Sequence, residues 1–385
     1  MPTGLLLDIV LQEDQRTPGF SGLCKRVRFS HSDCRRCVDI CPENAITLDP
    51  GPTINDHCSS CGLCQTACPT EVFQGEVHTD QHLLSQITPL TGTDKPVVKN
   101  RRLFMHCQQA EKQNEASFSI PCLGSITENF ILGAALSGAD EMVLTKGACS
   151  ECRLKQGEQL LTNSITAFDV LSKTMELPQF TLSLQEKQKE EQATLGRRAL
   201  FSSISGGQEN GAESALSPKG EAIETAPTRT PPRTTNGTRP SPKRKYLRTL
   251  LDKTPPNGTA VVAYDQSFPW GNVKIDENNC VTCGICVNVC PTGAIFRKTK
   301  NEQLSHYFNA SLCTNCRLCE EACPQKVISF EQDFRLTDVL KDEANAITRI
   351  KLNACLICGE VNPAREGEIC NTCDKRQISS RFVGL

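Results

Sequence analysis

Residues 280–324 read CVTCGICVNVCPTGAIFRKTKNEQLSHYFNASLCTNCRLCEEACP. One pattern, C-x2-C-x2-C-x3-C-P, occurs in it twice: Cys280, Cys283, Cys286 and Cys290 with Pro291, then Cys313, Cys316, Cys319 and Cys323 with Pro324. Residues 58–69 hold a third copy, Cys58, Cys61, Cys64 and Cys68 with Pro69, and a fourth, shortened copy ends in Cys34, Cys37 and Cys41 with Pro42. A short β-prone stretch follows each Cys-Pro: AITL, EVF, AIF and VISF. Duplication of this kind sets the frame for the rest of the chain.

The chain has 385 residues and 24 cysteines, enough length for several domains. Its apolar content of 38% is below the usual ~45–50%, so part of it lies outside any packed core. A net charge of -2 gives no nucleic-acid surface. The apolar run Leu5–Leu11, interrupted by Asp8, is too short for a secretion signal. No window approaches the ~18 apolar residues of a membrane span. A cytoplasmic location is expected. There, clustered cysteines bind metal more often than they pair as disulfides.

Iron in a cubane cluster takes one soft thiolate per iron. Three cysteines two residues apart wrap one corner of the cube, and the proline ends the short helical turn. Gly62 and Gly284 let backbone amides approach the sulfurs. Zinc sites rarely show four cysteines at this spacing with a trailing proline.

On these motifs the chain resembles the bacterial two-cluster [4Fe–4S] ferredoxin family twice, over about residues 24–75 and 275–330. The resemblance implies crossed ligation: Cys280, Cys283, Cys286 and Cys323 on one cluster, and Cys313, Cys316, Cys319 and Cys290 on the other. By the same analogy Cys58, Cys61, Cys64 and Cys41 hold a third cluster, and Cys24, Cys34, Cys37 and Cys68 the fourth. Here the sequence departs from the family, because His31 stands where the first cysteine belongs. Cys24 and His31 both remain candidates, with thiolate the better cubane ligand. A three-cysteine [3Fe–4S] site is the remaining alternative.

Cys355-x2-Cys358 and Cys370-x2-Cys373, with Gly359 after the first knuckle, look like a zinc ribbon. The same cage could hold a mononuclear iron.

Between the modules, RRLFMHC, SFSIPC and EMVLTKG read as strands ending near Cys107, Cys122 and Cys149. Ser125-Ile-Thr-Glu128 reads as a capping box opening a helix to about Ser137, and Cys149 and Cys152 as the start of a second helix. The four cysteines then fall at the carboxyl ends of strands, where open α/β sheets build sites. The segment is similar to the small iron-sulfur subunit of F420-non-reducing hydrogenase, which implies a [2Fe–2S] cluster on Cys107, Cys122, Cys149 and Cys152. A redox-active Cys149–Cys152 pair, zinc, or four structural thiols are the alternatives. The cysteine-free stretch Ser203–Lys245 reads as flexible linker, with Lys243, Arg244 and Lys245 solvated. LGRRALFS, residues 195–202, reads as a short docking helix or a plain helix end.

The expected fold is α+β and multi-domain. Residues 1–90 and 256–335 form ferredoxin-like 2[4Fe–4S] modules that flank an α/β parallel-sheet domain at 98–186 and a linker at 187–255, with a zinc-ribbon-like tail at 345–385. The expected function is single-electron transfer to or from a cytoplasmic oxidoreductase of formate dehydrogenase or hydrogenase type, with catalysis by the partner. No phosphate loop or dinucleotide fingerprint is present. Maturation of iron-sulfur or molybdenum enzymes, or thiol–disulfide reduction at the middle site, are the rival readings.

Overall fold

The computed structural model describes residues 20–73, 80–91, 101–111, 117–177, 180–187, 241–256, 261–265, 267–363, 369–370 and 373–374. The docking-helix reading at 195–202 and the linker from 188 to 240 lie outside these residues.

The first module contains α1 (Lys25–Arg28), α2 (Arg36–Ile40), the antiparallel pair β1 (Ile46–Thr47) and β2 (Thr53–Ile54), and α3 (Leu63–Ala67). Its short helices stop where the sequence says they must. Cys41 and Cys68 each precede a proline, whose ring excludes the helical region for the residue before it. Both turn to extended backbone, with ψ of 113° and 110°. Gly62 opens α3 at φ 78°, left-handed space that a glycine enters without strain. The EVF stretch, residues 71–73, forms no strand. Val72 instead accepts one backbone bond from Phe20.

Helix α4 (Asp80–Thr91) leads to the middle domain: β3 (Arg102–Cys107), β4 (Phe118–Ile120), α5 (Glu128–Leu136), β5 (Glu141–Lys146), α6 (Gly157–Thr174) and β6 (Thr181–Glu186). All pairings in the sheet are parallel, in the order β4-β3-β5-β6. β6 is an edge strand of this sheet. Two expectations are corrected. Helix α5 begins at Glu128 with Thr127 as its cap, the Thr127 hydroxyl accepting from the amides of Asn129 and Phe130, so Ser125 does not cap it. Cys149 lies in a single 3₁₀ turn and Cys152 just after it, while the helix starts only at Gly157. The two cysteines are therefore not part of that helix's first turn.

Residues 242–253 form α7 (Pro242–Lys253), capped by Ser241 with proline at its first position. This corrects the end of the expected linker. Leu247, Leu250 and Leu251 recur at helical spacing and are buried, and Arg244 is 3% exposed rather than solvated. One apolar core joins them to Phe130, Ile131, Leu132 and Leu171 of the middle domain and to Trp270, Phe334 and Leu336 beyond it.

The second module follows: β7 (Val261–Ala263), β8 (Val273–Ile275), α8 (Ile285–Val289), β9 (Ile295–Lys300), β10 (Gln303–Phe308), α9 (Leu318–Glu321), β11 (Ile328–Phe330), β12 (Asp333–Arg335) and α10 (Thr337–Leu340). β9 and β10 make a six-pair antiparallel hairpin between the two cysteine motifs. The tail adds β13 (Asn345–Ala346) and β14 (Ile350–Lys351) to β10, then β15 (Asn353–Ala354) pairs with β16 (Val361–Asn362). Among the described residues, no helix is long and apolar enough to cross a membrane.

Candidate metal centres

The structure gathers the cysteines of the second module into two sets. Cys280, Cys283, Cys286 and Cys323 line one cavity, and Cys290, Cys313, Cys316 and Cys319 another. Each set takes three cysteines from one motif and the fourth from its neighbour, because the turn to extended backbone at Cys290 carries that residue away from α8. In the first module, Cys41, Cys58, Cys61 and Cys64 line a third cavity.

Cys24 lies near Cys34, Cys37 and Cys68. It is buried in one apolar cluster with Cys37 and Cys68, and the charges of Cys68, Cys24 and Cys34 all act on Cys37. His31 is exposed, its ring 5.4 Å from that of Phe29. Cys24 sits in extended backbone at the start of α1, so the nine residues between it and Cys34 loop outward as one turn of helix and its exit.

The donor chemistry suits an anionic cluster. Burial first, then the neighbouring thiols, pushes Cys37, Cys286 and Cys316 up to about 12. Thiols that oppose one another's ionisation become thiolates readily when a metal cation sits among them. Backbone amides already point at the sulfurs: Ala45 N donates to Cys41 Sγ at 3.3 Å, Ser60 N to Cys58 Sγ at 3.4 Å, and Asn315 N to Cys313 Sγ at 3.4 Å. Such bonds hold negative charge on sulfur.

Cys107, Cys122, Cys149 and Cys152 line one further cavity with Gly147, Gly157 and Leu161. Gly147 N donates to Cys107 Sγ at 3.3 Å, Gly124 N to Cys122 Sγ at 3.4 Å and Leu154 N to Cys152 Sγ at 3.4 Å. Burial raises the Cys122 thiol to about 12, with Cys107, Cys149 and Cys152 adding to the rise. The convergence follows from parallel strands whose carboxyl ends lie side by side.

In the tail, the sulfurs of Cys355, Cys358, Cys370 and Cys373 all lie within 4.8 Å of one another, the one set this close among the described residues. Cys358 and Cys370 are 3.8 Å apart. A tetrahedral site with ~2.3 Å bonds has sulfur–sulfur edges of about 3.8 Å. Amides of Cys358 and Cys370 pull the Cys355 thiol down to about 6.

The centres are joined by contacts that the sequence did not disclose. Arg28 Nη2 donates to the carbonyl of Cys290 at 2.7 Å, and Lys25 pairs with Glu321 at 2.6 Å. Phe29 packs with Val289, Leu318 and Cys316. On the other side, a Cβ at Gly157 would meet Cys122 Sγ at 2.4 Å and Leu63 at 3.1 Å, so the middle cavity and α3 meet across a bare backbone. Buried Arg244 donates to the carbonyls of Pro269 and Cys313. Lys25, Arg28, Phe29, Gly157 and Arg244 lie outside the cysteine motifs, and only the fold brings them to the cysteines.

Residues 273–296 and 306–329 match the family described as 4Fe-4S binding domain, and residues 32–72 match the 4Fe-4S dicluster domain. Together these are four [4Fe–4S]-binding motifs. The dicluster match begins after Cys24. An uncharacterized ferredoxin of Methanocaldococcus jannaschii is 36% identical over 57 residues, 14% of this chain and 73% of the relative. A pyruvate synthase subunit of Methanothermobacter marburgensis is 30% identical over 66 residues, 17% of this chain and 73% of that one. A polyferredoxin of Methanothermus fervidus is 36% identical over 91 residues, 24% of this chain but only 21% of the relative. The chain belongs to the ferredoxin family, and its iron-sulfur motifs support a part in electron transfer.

Proposed function

We propose that the chain is a five-centre electron wire that serves a partner oxidoreductase. The centres follow one another as the Cys107 set, the Cys58 set, the Cys24 set, the Cys313 set and the Cys280 set. One observation carries this order: Arg28, in the helix that Cys24 opens, bonds the carbonyl of Cys290, which lies in the Cys313 set. The two ferredoxin modules are thus docked through their cysteine loops. The other links support the same order. Gly157 and Leu63 bring Cys122 to the first module. Cys37 acts on Cys64 within the first module, and Cys286 on Cys319 within the second.

When bound, iron-sulfur clusters supply reversible one-electron redox chemistry at each set. The protein holds the thiolates, donates amide bonds to them and fixes the spacing of the sets. At the middle site the four sulfurs ring a cavity, as a two-iron cluster needs, and we assign a [2Fe–2S] cluster there. The tail set, with its short sulfur–sulfur approach, suits zinc. Exposed Cys283 marks one end of the wire and the middle site the other. Relatives named as a pyruvate synthase subunit and as an NAD(P)H-quinone oxidoreductase subunit support a redox enzyme as partner. A formate dehydrogenase or hydrogenase is the class proposed, with catalysis in that partner.

The test is anaerobic purification of the full chain, followed by iron, sulfide and EPR analysis at graded potentials. About 18 irons are expected, 16 in four cubanes and two in the middle site. Magnetic interaction should appear between the Cys24 and Cys313 clusters and weaken in Arg28→Glu. About eight irons in fully loaded protein, or no interaction across that joint, would remove the wire reading.

A further inference from the structure

His306 is wholly buried on β10 and lines the cavity of Cys280, Cys283, Cys286 and Cys323. Its two ring nitrogens differ. Nδ1 lies 2.8 Å from the Thr348 hydroxyl, while Nε2 is buried with no partner in the protein. A buried ring nitrogen left unpaired is costly, and native structures rarely keep one without reason. The backbone explains why the ring is held there. β9 and β10 pair so that Arg297 lies opposite His306, and the Arg297 guanidinium donates to the carbonyl of Thr282, inside the loop that carries Cys280 and Cys283. The hairpin is thereby clamped over that cysteine loop. Thr348 closes the other side, accepting from the His306 amide at 3.1 Å.

We propose that His306 donates an Nε2–H hydrogen bond to a sulfur of the cluster held by the Cys280 set and raises the reduction potential of that cluster. The inference rests on the ligand assignment proposed above. Its logic is tautomeric. The Thr348 oxygen already accepts from an amide and keeps its own proton to give. Given to Nδ1, that proton leaves the imidazole hydrogen on Nε2, facing the cavity. The sulfurs there are acceptors and become more electron-rich on reduction, so a fixed donor favours the reduced state. No other set is lined by a histidine among the described cavities.

The experiment is an EPR-monitored dithionite titration of the anaerobic full-length protein, with iron counted in each sample. In His306→Phe the one-electron reduction equilibrium of a single cluster should shift about tenfold toward the oxidised form, ~59 mV downward, with the others unmoved. His306→Gln, which keeps a donor, should recover most of the shift. Thr348→Val, which releases Nδ1, should move the same cluster in the same direction. It decides the matter if the phenylalanine variant loses iron. In the parent protein labelled with ¹⁵N-histidine, the reduced cluster should show nitrogen hyperfine coupling that His306→Gln abolishes. Reduction equilibria within twofold of the parent's in fully loaded Thr348→Val, and in His306→Phe where that variant keeps its iron, overturn the inference and leave the ligand assignment standing. Parent protein without a cluster on the Cys280 set overturns both.

Discussion

Arg28 and Cys290 are 262 residues apart in sequence, yet the Arg28 guanidinium donates to the Cys290 carbonyl at 2.7 Å. The bond joins the loop of one cysteine set to the loop of another, and Lys25 with Glu321 braces it. Arg28→Ala leaves that carbonyl without its charged donor, a loss of about 1–3 kcal/mol. The effect should be local. Native-state hydrogen exchange should quicken at the amides of α1 and α8 and leave the middle sheet unchanged. Equal quickening in β3 and β5 would show that the joint is not a separate unit.

Cys24→Ser should lose one cubane or convert it to a three-iron form with its distinct EPR signal, while His31→Ala should keep all four. The ground is placement: Cys24 is buried with Cys37 and Cys68, and His31 is exposed. Loss of a cluster in the histidine variant alone would move the ligand role to His31.

Cys107→Ser and Cys149→Ser should each abolish the same visible and EPR signal in the full chain, because Cys107 ends β3, Cys149 lies in the turn after β5, and the two line one cavity. Loss confined to the Cys149 and Cys152 variants would mean a local dithiol instead.

Gly157→Ala should disturb two centres at once. The added methyl meets Cys122 Sγ and Leu63 in a space with no slack, and such overpacking costs about 1–3 kcal/mol. Weakened signals from both the middle site and the Cys58 cluster are expected. A change in neither would show that the backbone yields there.

Glu128 is fully buried near Lys243, and burial, the largest cause, pushes its carboxyl from 4.5 up to about 7. The neutral acid is therefore favoured by folding. Its penalty begins above 4.5, grows as pH rises, and levels off once pH passes the folded value. Glu128→Gln should remove this slope. Relative to the variant, the parent should lose about 1 kcal/mol between pH 6.5 and 8.5, read from urea midpoints. Parallel curves over that range would mean that Glu128 titrates as an ordinary surface acid.

The cysteine motifs were legible because their spacing is itself the structure. A pre-proline cysteine must leave the helix, while the crossed sets were what the resemblance to two-cluster ferredoxins implied. The middle cysteines were legible for a different reason, since parallel strands end side by side. Helix α7 was hidden. Leu247, Leu250 and Leu251 carry a helical period, but they follow a long polar run whose composition masked them. His306 was hidden more deeply, because one histidine in a β-prone stretch acquires meaning only when the hairpin folds over its neighbour's cysteine loop. The start of α5 was misplaced by two residues because Ser125 and Thr127 both offer capping hydroxyls, and only the chain's exit from the 3₁₀ turn chooses between them.

Helix α7 has a consequence for how the molecule can be taken apart. It fuses the core of the middle domain to that of the second module, while the proposed succession of centres runs through the first module. Rigidity and conductivity then follow different routes through one chain. A variant whose first module cannot assemble its clusters would still hold its two outer parts together, as a circuit whose casing is intact and whose lead is cut. Such a molecule would keep the Cys107 and Cys280 sets in register with no current passing between them.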